Sequence, residues 1–408
     1  MSRGNIVTGL DIGTSALKLL TAVKKSGEPE LEVLSLVQEP AAGIRKGVVI
    51  DPGEVSNILQ NILERVKAET NQRIDSVYLN VGGSHIFSTP SRGLVSVSRA
   101  DQKISEEDID RVLQAARAFS LPSNKEIFDV SLREFIVDGQ SGIKEVLGLQ
   151  GVRLEAEVLA LGGFAPYLKN LTQAVLNSGL QILDMIPSPI ASAGSCLSSR
   201  QKELGVALLD IGAGTSGLAV FEEGDLIHLA ILPIGSANIT NDIAIGLKTD
   251  IDVAERIKIE YGFCRIFPNQ SPRKKERIEI GEEEPLVFSK KQLAGIIEAR
   301  VSEIFDQVNK ELKKISREKL LPAGVVLTGG GSKLPKMVDF AKKELKLSCR
   351  IGKPQGFLDF EKDPSLSTVC GLVLEGVDLE TERGTATFQT LGKRIGNKIK
   401  RVFKIFIP

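Results

Sequence analysis

Apolar residues with strand-like spacing and apolar residues with helix-like spacing alternate along the chain, which is typical of a mixed α/β protein. The first stretches predict a strand hairpin at residues 6–23, a third strand at 31–36 and a helix at 54–69. The apolar side chains of that helix recur every three or four positions, so one of its faces is predicted to lie on a core. A short apolar run at 76–81 then predicts a buried strand.

The pattern changes between residue 84 and about residue 160, where alternating strands surround a single helix. This helix is predicted to begin after Ser105, because the sequence Ser-Glu-Glu-Asp forms a capping box. A helix near 164–178 and a strand at 181–186 resume the earlier pattern. The sequence therefore predicts a small inserted α+β module that divides the first half of the chain.

The second half repeats the order of the first half, starting with a hairpin at residues 206–221. Further helices are predicted at 238–247, 252–260, 290–315 and 335–345, and a strand at 324–328. Residues 267–285 are polar and charged, which predicts loops. Residues 379–390 are polar without apolar periodicity, which predicts a flexible linker.

The tetrapeptide Leu-Asp-Ile-Gly occurs twice, at residues 10–13 and 209–212, each time between an apolar run and small hydroxyl residues. Glycine permits a tight reversal there, and backbone N–H groups in such a turn can face phosphate oxygens. Asp11 and Asp210 lie at predicted strand ends, where a carboxylate can hold a hydrated magnesium ion. A third glycine turn, at 329–331, lets a flat adenosine approach the backbone, although an ordinary turn explains it equally well. The duplication predicts two phosphate loops that face one another.

Length and composition narrow the class of protein. A chain of 408 residues exceeds one usual core, so at least two domains are expected. With 52 basic and 52 acidic residues the net charge is zero, which argues against nucleic-acid binding through the whole surface. The four cysteines have no paired spacing, so they are predicted to lie in the core rather than to bind zinc. Together with the absence of an apolar leader, this spacing predicts a protein of the reducing cytoplasm. No run of 18 apolar residues is present, so no segment is predicted to span a membrane.

The last residues differ from the body of the chain, because 384–408 contain six cations and no acidic residue. In helical projection their apolar residues form one stripe and the cations occupy the remainder, which predicts a helix lying on an anionic membrane surface. The residues predicted to contact the membrane are Leu391, Ile395, Ile399, Val402, Phe403 and Phe406, with Lys398 and Arg401. Two alternatives are a terminal helix docked on the protein's own core and a basic helix that binds calmodulin-type partners or nucleic acid.

The three glycine turns, in this order, are the pattern of the actin, Hsp70 and sugar-kinase superfamily. Within it, the whole chain resembles the bacterial cell-division protein family FtsA, through residues 9–15, 43–47, 104–109, 135–140, 203–206, 239–244, 254–258 and 327–332. The resemblance implies an actin-like α/β fold of duplicated ribonuclease-H-like domains. Its implied subdomains are 1A at 1–83 and 161–195, the inserted 1C at 84–160, 2A at 196–236 and 300–375, 2B at 237–299, a linker at 376–390 and an amphipathic helix at 391–408.

The resemblance further implies that ATP and Mg²⁺ bind between the two loops. The implied nucleotide-binding residues are Asp11, Gly13, Thr14, Ser15 and Lys18, then Asp210, Gly212, Gly214 and Thr215, then Glu255 and Lys258 at the ribose, and Gly330, Gly331 and Ser332 at the adenine. Asp11 and Asp210 would organise Mg²⁺ through water. Two alternatives stay open: Glu255 and Lys258 as a solvent-exposed ion pair, and Lys18 as a solvated strand charge.

Some residues depart from the family's common form, namely Ala213, Gly217 and Ser236. Hydrolysis also needs a polar residue that orients water near the γ-phosphate, and the crossover segment 186–190 offers only Ser188. We therefore expect ATP binding with weak or absent turnover, and no catalytic residue is assigned.

The function implied by the resemblance is that of an actin-like filament protein that tethers the ring of FtsZ during cell division. It would bind the FtsZ C-terminal peptide at about residues 237–299, self-associate, contact other division proteins and lie on the cytoplasmic face of the inner membrane at the septum. No nucleic acid is expected as a partner. The alternatives are an actin-like adaptor of type IV pilus assembly (PilM-like) and a small-molecule kinase.

Overall fold

The computed structural model describes residues 6–25, 27–118, 121–264, 275–280 and 283–384. They form two similar α/β halves, each built on a five-stranded sheet, and a smaller module with a four-stranded sheet. Among these residues, no helix has the length and apolar composition needed to cross a membrane. The predicted helix 391–408 lies outside the described residues.

The first half starts with an antiparallel hairpin and continues along one sheet. Its elements are β1 (Ile6–Ile12), β2 (Ala16–Val23), β3 (Glu32–Pro40), the short pair β4 (Ile44–Arg45) and β5 (Val48–Val49), α1 (Pro52–Thr70) and β6 (Ser76–Val81). β1 pairs antiparallel with β2 and parallel with β6. α1 begins at the cap Asp51, whose carboxylate accepts hydrogen bonds from the N–H groups of Gly53 and Glu54.

The inserted module follows as β7 (Phe87–Ser96), α2 (Glu106–Arg117), β8 (Lys125–Val137), β9 (Gln140–Ile143) and β10 (Arg153–Phe164). Its strands are antiparallel in the order β7-β10-β8-β9, and α2 packs on them around the buried Val112, Phe135 and Leu154. The predicted capping box is present, because Ser105 and Asp108 exchange side-chain and backbone hydrogen bonds. The prediction of an inserted α+β module is therefore confirmed.

The module also touches the second half. The Ser88 hydroxyl donates to the Leu229 carbonyl over 2.9 Å and accepts from the Leu229 N–H over 3.3 Å. Lys144 forms an ion pair with Asp225 on the same edge of the second sheet. The module is thus covalently part of the first half and rests on the second.

The second half repeats the arrangement around β1. After α3 (Ala165–Asn177), β11 (Gln181–Pro187) and α4 (Ser188–Cys196), its elements are α5 (Ser199–Leu204), β12 (Val206–Ile211), β13 (Ser216–Glu222), β14 (Asp225–Leu232), α6 (Ser236–Leu247), α7 (Ile251–Tyr261), β15 (Lys275–Ile280), β16 (Glu283–Ser289), α8 (Lys290–Lys314), β17 (Val325–Thr328), α9 (Met337–Leu345) and β18 (Cys349–Ile351). β12 pairs antiparallel with β13 and parallel with β17, as β1 does with β2 and β6.

The prediction of loops over 267–285 is wrong for the described part of that segment. β15 and β16 form an antiparallel hairpin there, in which Lys275 pairs with Ser289. The alternation of apolar and charged residues at 276–280 belongs to this strand and not to a solvated loop.

The last described helix, α10 (Ser367–Gly384), returns to the first half. Val369, Leu372 and Val373 are buried in the same core as Leu10 and Tyr78. Residues 367–375 therefore pack with the first half, although the predicted boundaries assign them to subdomain 2A. The predicted linker 376–390 is also wrong over 376–384, which is helical; its remainder lies outside the described residues.

Candidate nucleotide-binding cleft

The two repeated tetrapeptides form matching turns. In the first, the Gly13 N–H donates to the Ala16 carbonyl over 3.1 Å, and in the second the Gly212 N–H donates to the Thr215 carbonyl over 2.9 Å. Both turns join the antiparallel strands of a hairpin, β1 to β2 and β12 to β13. The sequence duplication is therefore a duplication of backbone geometry.

The two turns also meet across the molecule. A methyl group added at Gly214 would lie 2.7 Å from Thr14 Oγ1 and 3.0 Å from the Cα atom of Lys46. Thr14 Oγ1 in turn accepts a hydrogen bond from the Gly47 N–H over 2.9 Å. The second turn thus contacts the first turn and the β4–β5 hairpin, and only glycine leaves room for this approach.

Between the two halves lies a cavity of about 660 Å³, within the size range of ligand pockets. Twelve of the fourteen predicted residues line it: Asp11, Gly13, Thr14, Ser15, Lys18, Asp210, Gly212, Thr215, Glu255, Lys258, Gly330 and Gly331. Gly214 instead packs on Thr14, and the buried Ser332 donates its hydroxyl to the Gly329 carbonyl over 2.7 Å. These two residues shape the turns beside the cavity, while the roles of all fourteen towards a nucleotide stay predictions.

Lys18 is held inside the cleft. Its side chain is only 13% exposed, and Nζ donates to Asp11 Oδ2 over 3.3 Å and to the Ser365 carbonyl over 2.9 Å. The alternative of a solvated strand charge is therefore wrong. A fixed ammonium group beside the first turn provides a point charge for an anionic ligand.

Asp210 is held by two hydroxyl groups at the other side of the cleft. Ser192 of α4 and Thr368 of α10 donate to its Oδ2 over 2.6 and 3.1 Å. Burial raises the pKa of the Asp210 carboxyl, the hydrogen bond from Ser192 opposes this rise, and the negative charge of Asp11 adds to it. The two carboxylates therefore share one site but differ in their donors.

Lys258 and Glu255 of α7 reach the cavity from the second half. Lys258 is 8% exposed, and its Nζ donates to Glu255 Oε2 over 2.6 Å, to Thr240 Oγ1 over 2.8 Å and to the Ser236 carbonyl over 3.3 Å. The alternative of a solvent-exposed pair is wrong for Lys258, whereas the Glu255 side chain is 44% exposed. The buried amine fixes α7 to the first turn of α6.

The departures from the family's form have local explanations. A side chain at Gly217 would meet Pro189 at 2.4 Å, so no aspartate fits there. Ser236 and Ala237 open α6 and donate their N–H groups to the carbonyls of Gly212 and Ala213 over 2.8 and 2.9 Å. The second turn is therefore fastened to the start of α6 through the backbone, whichever side chains stand there.

Several residues that line the cavity were not predicted from the sequence. Asn80 at the end of β6, Lys333 and Leu334 after the third glycine turn, and Thr368 of α10 belong to this group. Asn80 is the next-to-last residue of the predicted strand 76–81 and Lys333 follows the predicted strand 324–328, and the carboxyl ends of parallel strands are where ligands bind in open α/β sheets. That rule could have identified both residues, whereas Thr368 comes from a helix that the sequence reading missed.

The repeated halves, the paired turns and the cleft between them define an actin-like protein. The sequence profile described as "Cell division protein FtsA" matches residues 207–371, and that of the "SHS2 domain inserted in FTSA" matches residues 83–161. Cell division protein FtsA of Pseudomonas aeruginosa is 35% identical over 383 residues, which cover 93% of this chain and 91% of that protein. The Bacillus subtilis protein of the same name is 33% identical over 373 residues, or 91% and 84% of the two chains. The chain belongs to the FtsA family of cell division proteins.

Solved structures with low sequence identity share the fold. The PilM-PilN type IV pilus biogenesis complex matches with a TM-score of 0.65 at 18% identity, over 91% of this chain and 98% of that chain. MreB5 of Spiroplasma citri bound to ADP matches with 0.56 at 13% identity, over 94% and 99%. The MamK double helical filament matches with 0.50 at 12% identity, over 91% and 98%. The predicted actin-like fold is thereby confirmed.

Proposed function

We propose that this protein is an ATP-binding, actin-like filament protein that links the FtsZ ring to the cytoplasmic membrane during cell division. The observation that carries the nucleotide part is the pair of matched turns facing one cavity, which is lined by residues that the family resemblance implies for ATP binding. Family membership supports a role in division, and it argues against the pilus adaptor and the small-molecule kinase as the main function.

The residues present fit a magnesium nucleotide. The turns at Gly13 and Gly212 offer backbone N–H groups and Lys18 a fixed positive charge for phosphates, while the glycines at 330–331 leave space for a flat base. Asp11 and Asp210 would hold Mg²⁺ through water, and the metal would neutralise phosphate charge. A ligand that contacts both turns binds the closed arrangement of the two halves better than an open one. Bound ATP would therefore stabilise the closed arrangement.

Binding and turnover can be measured separately. Calorimetry with ATP and Mg²⁺ should give a binding isotherm, and a phosphate-release assay should give slow or no hydrolysis. Lys18→Met removes the fixed charge with little change in length, and it should weaken ATP binding by about tenfold or more. An absence of binding by the unmodified protein would reject the nucleotide part of the proposal.

Filament formation is supported by the likeness in fold to the MamK filament and by the family's role. Electron microscopy of the protein with ATP on an anionic lipid monolayer should show ordered filaments, and omission of ATP should reduce them. Monomers alone under both conditions would contradict self-association.

The FtsZ contact is proposed for the region 237–299, where α6 and α7 expose large apolar side chains. Ile245 is 77% and Ile251 48% exposed on this surface. Ile245→Glu should weaken binding of an FtsZ C-terminal peptide at least tenfold. Leu320, which is 64% exposed in the segment between α8 and β17, provides the matched control, because Leu320→Glu should leave peptide binding unchanged.

The membrane contact is proposed for the sequence 391–408. Each cation near an anionic surface contributes about 1 kcal/mol, so single molecules would attach reversibly and a filament would attach firmly. Deletion of 391–408 should abolish sedimentation with anionic vesicles and leave ATP binding intact. Sedimentation that survives the deletion would reject this anchor.

A further inference from the structure

We propose that Asn80 is a positioning residue for the metal-bound nucleotide: it holds the Asp11 carboxylate in the orientation that a hydrated divalent cation requires. This inference rests on the proposed binding of ATP with Mg²⁺. Asn80 lies on β6, outside the crossover segment 186–190 and apart from the positions that depart from the family's form.

Asn80 owes its place to the sheet register. β1 and β6 run parallel, with Leu10 beside Leu79, so the next residues, Asp11 and Asn80, lie side by side where the strands end. Asn80 is 4% exposed, although it lines the cavity. A buried carboxamide must find its hydrogen-bond partners within the protein, and its contacts therefore fix its orientation.

The partners of Asn80 connect three parts of the site. Its Nδ2 donates to Asp11 Oδ1 over 2.9 Å and to Ser188 Oγ over 3.1 Å. Its Oδ1 accepts from the Ile12 N–H over 2.7 Å, which ties the same side chain to the first turn. Asn80 thus links the metal-facing carboxylate, the backbone of the phosphate turn and the start of α4.

The bond from Asn80 occupies Oδ1 of Asp11, while Oδ2 faces Lys18 at 3.3 Å. Lys18 is closer to the Ser365 carbonyl, at 2.9 Å, so it does not fix the carboxylate by itself. An uncharged donor can orient a carboxylate without neutralising it, and the negative charge stays available to a cation. Asn80 is therefore the contact that sets the rotation of Asp11.

The second half lacks this arrangement. By register, Thr328 stands beside Asp210 as Asn80 stands beside Asp11. The Thr328 hydroxyl, however, contacts Ser367 Oγ at 2.6 Å and the Pro364 carbonyl at 3.2 Å, and Asp210 is held by α4 and α10. The duplicated halves therefore differ at this pair of positions, and only the first uses a strand-end carboxamide to orient its aspartate.

The test compares ATP affinity in Mg²⁺ with ATP affinity in EDTA, by calorimetry on the full chain. Asn80→Ala should reduce the affinity gain from Mg²⁺ at least fivefold while changing the metal-free affinity less than twofold. Thr8→Val is the matched control, because Thr8 is buried on β1 and its hydroxyl contacts Thr21, at 3.4 Å. This control should keep the gain of the unmodified protein.

The outcomes separate the two proposals. Equal loss of affinity in both buffers, or an unchanged gain from Mg²⁺, would overturn the role of Asn80 and leave ATP binding intact. Binding by the unmodified protein that is equal with and without Mg²⁺ would also overturn it, and no binding at all would reject both proposals. If Asn80→Ala does not fold, Asn80→Ser gives the same test, since its shorter side chain does not extend to Asp11.

Discussion

Gly214→Ala tests whether the two glycine turns must meet in the proposed complex with a nucleotide. The added methyl group would lie 2.7 Å from Thr14 Oγ1, 2.8 Å from Thr14 Cγ2 and 3.0 Å from Lys46 Cα. All three atoms belong to the first half, whereas Gly214 belongs to the second. The substitution therefore disfavours the closed cleft and leaves each half's own packing unchanged.

The magnitude follows from the cost of overpacking. An extra methyl group in a filled site typically costs about 1–3 kcal/mol, and each 1.4 kcal/mol changes an equilibrium constant about tenfold. Because a ligand that bridges both turns binds only the closed arrangement, its affinity should fall by roughly 5- to 150-fold. The thermal stability of the nucleotide-free protein should change little, since an opened cleft relieves the contact.

The assay is a titration with a fluorescent ATP analogue, alongside small-angle scattering to detect opening. Gly295→Ala is the matched control, because an added methyl group at Gly295 on α8 meets no atom within 4 Å. Unchanged ATP affinity in Gly214→Ala would refute the inference that nucleotide binding requires the two turns to touch.

Two further predictions concern stability. Burial lowers the pKa of His85 to about 4, and its Nδ1 accepts the Phe164 N–H over 3.2 Å, so protonation breaks a bond at the root of the inserted module. Since this folded-state pKa lies below the unfolded value, stability should be lost as the pH falls below about 6.5. The loss between pH 7 and pH 5 amounts to at most about 2 kcal/mol, and His85→Asn, which keeps an acceptor, should remove about 1–2 kcal/mol of it in chemical denaturation. An unchanged pH profile would contradict this. At the contact of α4 with α10, a methyl group on Gly371 would lie 1.7 Å from the Ala191 carbonyl oxygen. Gly371→Ala should therefore lower the unfolding free energy by more than about 3 kcal/mol, and a variant of normal stability would show that these helices separate easily.

The sequence predicted those parts of the cleft that depend on local backbone chemistry. The tetrapeptide at 10–13 and 209–212 needs only its own glycine and neighbouring strands to form a turn, so its duplication could be recognised directly. Asn80 was missed because a polar residue near the end of an apolar strand resembles an ordinary strand end. Its role depends on a neighbour 69 residues away in sequence, a relation that periodicity does not contain.

The helix α10 was missed for a different physical reason. Gly371 and Gly376 lower its intrinsic helix propensity, and the residues after 379 are mostly polar. The same glycines are required by packing, because side chains there would meet Ala191 and the Tyr78 ring. Tertiary contact thus overrides local preference at this helix, and the predicted domain boundary failed with it.

The inserted module is joined by its chain to one half and by Ser88 and Lys144 to the other. If the two halves rotate relative to each other, a module attached to both of them must tilt or lose one of its attachments. The orientation of the inserted module relative to the two halves is consequently coupled to how far the cleft between them is open. A neighbouring molecule that binds the module would therefore respond to that angle without contacting the cleft.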